Sequence, residues 1–213
     1  MEVLLDSQVA HFLRGAVDFW RSGGWAMLAI AALAVVMFGM GIHVYLRLWA
    51  TRFRAVSETD WRFWIDHPAD REGPIGEMLD YVGDAESVAE SASRFAEVRA
   101  SEVRPFERDL MVMRICVSAA PLVGLLGTVM GMLATFGALS SGSGGDKTMG
   151  AIAGGISEAL VTTETGLAIA LPGLFFQYLL ARRLQHYKAF LAHLETVCTQ
   201  ALYRRLQRAG LAA

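Results

Sequence analysis

The stretch Gly150 to Arg182, GAIAGGISEALVTTETGLAIALPGLFFQYLLAR, sets the terms for everything else in the chain. It is long enough to cross a bilayer, for which about 20 apolar residues suffice. Yet it carries two carboxylates, Glu158 and Glu164, and three threonines, Thr162, Thr163 and Thr165. An ionisable side chain at mid-bilayer costs roughly 2.5–3.5 kcal/mol on insertion scales and is normally turned toward protein or a water-filled path. The stretch therefore reads as a membrane helix whose polar residues face something other than lipid.

Two further apolar runs are long enough to span, Trp25 to Leu46 and Ile115 to Leu139, in a chain that is 54% hydrophobic over 213 residues. The expected fold is all-α: an integral membrane protein with three transmembrane helices and long helices extending into the cytoplasm. The expected organisation is an outward-facing amphipathic segment over 1–24, a first span over 25–46, a cytoplasmic helical domain over 47–114, a second span over 115–139, an outer hairpin over 140–149, a third span over 150–181 and a cytoplasmic C-terminal helix over 182–213. Residues 1–24 contain Asp6, Arg14 and Asp18 and lack an uninterrupted apolar core, so no cleavable signal is expected. The two cysteines, Cys116 and Cys198, imply no disulfide framework.

Lysine and arginine set the orientation. Segment 47–114 holds ten and segment 182–213 six, against two in 1–24 and one in 140–149. By the positive-inside rule the long loop and the C-terminus face the cytoplasm, and the N-terminus and the short hairpin face outward. The net charge of −2 carries no signal, and no basic patch with interleaved aromatics suggests nucleic acid.

Along the chain, Val9, Phe12, Leu13, Ala16, Val17 and Trp20 recur at helical spacing among Asp6, Arg14, Asp18 and Arg21, which fits a surface-lying amphipathic helix or a cap on the bundle. Trp25, Tyr45 and Trp49 bracket the first span as interfacial anchors. His43, alone near its inner end, reads as a structural hydrogen-bonder rather than a proton relay. The loop 47–114 is too long for a connector. Its centre, HPADREGP (67–74), has the composition of a turn, and 75–103 then runs at helical period, with Val88, Ser91, Phe95 and Val98 on one face and Glu86, Glu90, Arg94 and Glu97 on another. Pro105 can kink or break a helix that continues toward the second span. Past Arg182, Leu184, Tyr187, Leu191, Leu194 and Cys198 form an apolar stripe, which needs cover from the loop domain or another subunit.

Small residues at four-residue spacing let helix backbones approach closely. The second span has Gly127–Gly131–Thr135 and Ala120–Gly124–Thr128; the third has Gly150–Gly154 and Gly155–Ala159–Thr163. Gly124, Gly127, Gly131, Gly155 and Ala159 are thus the candidate packing residues, for each other or for further copies. The polar set is Thr128 and Thr135 on span two with Glu158, Thr162, Thr163, Glu164 and Thr165 on span three. A hydroxyl both donates and accepts, so such a set can hold water or hand on a proton; a single threonine more often ties its hydroxyl back to its own helix. There is no nucleophile–His–acid set, no His/Cys metal cluster and no phosphate-cradling loop, so neither an enzyme, nor a metal, nor a cofactor is expected.

APLVGLLGTVMGM together with GGISEALVTTETGLAIALPG resembles the paired signature of the MotA/TolQ/ExbB proton-channel family. Three spans, a large first cytoplasmic loop and a short outer hairpin are closest to ExbB and TolQ; the MotA branch has four spans. The resemblance covers about 110–182 by motif and the rest by architecture. It implies a homopentamer in the bacterial inner membrane whose second and third spans line a pore. It also implies a single-span ExbD/TolR-type partner with an aspartate in that pore, and a TonB-like energy transducer beyond it. The family's pore threonines fall on Thr128 and Thr163, and its third-span glutamate on Glu158. The implied function is a motor that uses the proton motive force to energise an outer-membrane process, in uptake or in envelope maintenance. The candidate path is then Thr128, Thr163, Thr162, Glu158 and Glu164. Glu164, within TTET, departs from the family pattern. It either donates a hydrogen bond to a neighbouring helix, which its leucine-rich face favours, or adds a second proton site. The rival reading is a membrane scaffold whose polar residues only set helix register.

Overall fold

The computed structural model describes residues 23–51, 53, 56–140 and 145–208. The amphipathic segment expected over 1–24 lies almost wholly outside these residues, as does the centre of the 140–149 hairpin. Among the described residues five α-helices and one 3-10 turn succeed one another: α1 Gly24–Ala50, α2 Glu58–Asp66, the turn Pro68–Asp70, α3 Gly73–Gly83, α4 Val88–Ser140 and α5 Asp146–Arg208. Among the described residues there is no strand. Three helices, α1, α4 and α5, are long and apolar enough to cross a membrane. Pro105 and Pro121 lie inside α4 and Pro172 inside α5, and none of them ends its helix.

The chain divides into two compact units, Met1–Gly39 with Val112–Phe176, and Met40–Met111 with Gln177–Ala213. In the second unit the apolar stripe on α5 is covered within the chain: Leu184, Tyr187, Leu191 and Leu194 are all buried. Leu194 packs with Trp61 of α2, Ile75, Leu79 and Val82 of α3 and Phe95 of α4. Burying each such side chain contributes about 1.5–3 kcal/mol. Ion pairs between α4 and α5, Glu107 with Lys188 and Arg99 with Glu195, flank that core.

Two local devices shape this unit. The helical run expected over 75–103 is interrupted at residues 84–87. Ser87 caps α4, its Oγ accepting from the Glu90 N–H at 3.1 Å, while the Glu86 N–H donates to Glu90 Oε2 at 3.0 Å. Serine three residues before glutamate is a helix-start signal, here written S-V-A-E. Within the turn region, Arg71 donates from Nε to the Trp64 carbonyl at 2.9 Å and from Nη1 to Asp80 at 2.7 Å. The Arg71 side chain is 9% exposed and its partner Asp80 is 62% exposed, so a buried arginine ties α2 to a surface carboxylate of α3.

Candidate functional site

In the first unit α4 and α5 run antiparallel along a seam made almost entirely of small residues. A Cβ added to Gly131 would lie 2.5 Å from the Gly155 carbonyl oxygen and 2.9 Å from the Ala159 Cβ. One added to Gly127 would lie 2.3 Å from Thr162 Oγ1, and one added to Gly124 would lie 2.9 Å from the Thr162 carbonyl oxygen and 3.2 Å from the Thr163 Cα. Gly155 in turn meets the Thr135 methyl, and Gly166 meets the Ala120 carbonyl. The seam on α4 is therefore Ala120, Gly124, Gly127, Gly131 and Thr135, drawn from both of the rows visible in the sequence. A step of four residues turns about 400°, so a strict four-residue row drifts by about 40° per step. Alternating steps of four and three stay on one face, which leaves Thr128 and Thr163 at the edge. Among the described residues nothing lies within 4 Å of a Cβ added at Gly150 or Gly154.

This geometry sorts the candidate polar residues. Thr162 is fully buried against Gly127, its hydroxyl donating to the carbonyls of Glu158 and Ala159, both at 3.0 Å. Thr163 is half-buried and donates to the Gly124 carbonyl across the seam and to the Ala159 carbonyl of its own helix, both at 3.2 Å. Thr128, one turn beyond Gly124, is half-buried and donates to the Leu125 carbonyl at 2.6 Å. Thr135 and Thr165 likewise donate within their own helices. At about 100° per residue, Thr128 and Thr163 each stand roughly 60–70° from the centre of the seam, and in an antiparallel pair both displacements fall on the same side.

Glu158 lies on the opposite flank of α5, about 140° around the helix from Thr163. That flank belongs to α1. Gly24, which opens α1 at φ +59, comes so close that a Cβ on it would lie 1.9 Å from Glu158 Oε1. Glycine serves here twice over, for the left-handed backbone and for the room it leaves the carboxylate. Further along, Met37 of α1 packs on Gly173 of α5. Among the described residues the Thr128–Thr163 flank has no such cover. Glu164 is on neither flank; it is exposed on the side of α5 turned away from α4. Among the described residues no group of three His, Cys, Asp or Glu could hold a metal ion.

The model of the MotA/TolQ/ExbB proton channel family matches residues 76–192, more than half of the chain and all of the α4–α5 seam. The biopolymer transport protein ExbB of Xanthomonas campestris is 36% identical over 110 residues, 51% of this chain and 41% of that protein. An ExbB-like biopolymer transport protein of Synechocystis is 43% identical over 60 residues, 28% of this chain and 29% of that protein. An ExbB homologue of Methanothermobacter thermautotrophicus is 28% identical over 180 residues, 76% of this chain and 62% of that protein. The match to the first two spans well under half of their own length.

Proposed function

The chain belongs to the MotA/TolQ/ExbB proton channel family, and from that premise we propose that it is the ring-forming subunit of an ExbB-like inner-membrane motor. Its ring, a pentamer by family resemblance, holds a single-span ExbD/TolR-type partner and uses the proton motive force to energise an outer-membrane process. A TonB-like transducer is the natural next element. The N-terminus is periplasmic and the C-terminus cytoplasmic, as the distribution of Lys and Arg favours.

The observation that carries this reading is the asymmetry of the α4–α5 pair. One flank is covered by α1 where Gly24 meets Glu158. The other is open and presents Thr128 and Thr163, half-buried at the seam's edge. Repeating the pair around an axis with α1 outside turns the open flank inward, where two threonines per subunit line the path. Each hydroxyl spends its proton on a backbone carbonyl, which leaves the oxygen lone pairs free to accept from water or a proton carrier. Thr162 supports the path by packing against Gly127, and Glu158 supports it by seating α1. Proton flux across vesicles containing the chain and a single-span ExbD/TolR-type protein tests the reading; no flux under an imposed gradient contradicts it.

One observation favours the scaffold reading. Thr128, Thr135, Thr162 and Thr165 all donate back to their own helix, as register-setting threonines do. The same flux measurement separates the two, since a scaffold assembles and conducts nothing.

A further inference from the structure

Among the described residues, Glu164 lies on the side of α5 turned away from α4. The α5 residues that meet α4 are Gly155, Ala159, Thr162 and Gly166. At about 100° per residue, Glu164 points roughly 170° from their mean direction. It is exposed, and the neighbours on its face, Leu160, Leu167 and Leu171, are exposed with it. Among the described residues its carboxylate has no hydrogen-bond or ion-pair partner. An ionisable group near the middle of a spanning helix is not left against lipid; it is covered by protein or faces water. Protein or water beyond the described residues therefore meets this face.

The ring proposed above identifies the cover, and the inference rests on that ring. With the Thr128–Thr163 flank turned to the axis and α1 at the rim, a direction opposite to α4 runs neither into the path nor into lipid. It runs along the circumference, to α4 of the next copy. Depth fixes the contact. The seam sets Thr163 beside Gly124, so Glu164 is level with the stretch around residues 122–126 of α4. At that level the face of α4 turned away from its own α5 presents Leu122 and Leu126, which are 64% and 45% exposed.

We propose that Glu164 is a contact between copies of this chain, seated against Leu122 and Leu126 of α4 in the next subunit, and not a wall of the ion path. A cation there would meet only leucine.

Disulfide mapping in the full-length chain in membranes tests this, with Cys116 and Cys198 replaced by alanine. Under oxidation Glu164→Cys combined with Leu122→Cys is expected to give a ladder of cross-linked species up to the closed ring, while Glu164→Cys alone stays monomeric on a denaturing gel. An intact ring by native mass spectrometry, with no ladder from the pair and with Glu164→Cys labelled by a water-soluble maleimide as fast as Thr163→Cys, overturns the contact and returns Glu164 to the path. Absence of any ring for the parent chain overturns the ring itself, a separate failure. Where the cysteine pair prevents assembly, two variants in the native background read the same point. Glu164→Gln keeps the ring fraction of the parent, and Glu164→Lys lowers it by about tenfold or more, as a buried intramembrane charge does. Equal assembly of Glu164→Lys and the parent overturns the proposal.

Discussion

The Thr163 hydroxyl donates to the Gly124 main-chain carbonyl across the α4–α5 seam, at 3.2 Å. Only a residue without a side chain at 124 allows that approach, because a Cβ there would press on the main chain of Thr162 and Thr163. The glycine thus does more than tighten packing. It brings a threonine on one helix into register with the turn of the other that carries Thr128.

The seam predicts a sharp contrast among glycines. Gly131→Ala drives a methyl against the Gly155 carbonyl, where main chain must move. The expected cost is about 1–3 kcal/mol, the usual range for overpacking. Gly154→Ala meets open space within the chain and gains helix propensity, of order 1 kcal/mol. Thermal melts of the detergent-solubilised chain should show Gly131→Ala clearly lowered and Gly154→Ala equal or raised. Equal melts for Gly131→Ala and the parent would speak against the seam.

The core of the second unit predicts a loss independent of the membrane helices. Leu194 is 0% exposed among Trp61, Leu79 and Phe95. Leu194→Ala should cost about 2–5 kcal/mol, transfer and cavity terms together. Limited proteolysis should then cut within 47–114 far sooner than in the parent, while the protease-resistant spans persist. Unchanged digestion would mean that the stripe on α5 is covered some other way.

Burial pushes the Cys198 thiol from its ordinary value near 9 up to about 12. Below the ordinary value the thiol is protonated folded or unfolded, and its contribution to stability is complete. Between about 9 and 12 only the unfolded chain ionises, so stability falls as pH rises. At pH 8 the folded thiol should resist iodoacetamide and react only on addition of denaturant, because the thiolate is the nucleophile. Rapid labelling of Cys198 in the native protein would contradict its burial.

Much of this molecule is legible in its sequence, for physical reasons that also mark where legibility ends. The three spans stand out because apolar runs of that length have few other uses. The stripe from Leu184 to Leu194 is readable because its 3.6-residue period survives outside the membrane, and the structure buries all of it. The seam is harder. Rows of small residues four apart are easy to see, but two antiparallel helices select the face that does not drift, and that face takes members of both rows on α4 and Thr162 from beside the rows on α5. That Glu158 belongs to the α1 side is not legible, since it depends on where Gly24 arrives in space. Arg71 is inconspicuous inside a turn-like stretch, because two of its acceptors, the Trp64 and Ile65 carbonyls, are main-chain groups that leave no mark in side-chain pattern. The break at residues 84–87 does leave one, Ser87 before Glu90, hidden by the helical period on either side.

The proposed motor stands or falls on whether the open Thr128–Thr163 flank carries the ion. Valine keeps the shape of threonine and removes its hydroxyl, so the decisive measurement is proton uptake by vesicles containing the Thr128→Val, Thr163→Val ring with its single-span partner, beside the parent. Two lost hydrogen-bonding groups at about 1 kcal/mol each correspond to a fall in flux of roughly tenfold or more. That fall is expected with the ring intact by native mass spectrometry. Full flux through an intact double-valine ring would contradict the assignment of the path.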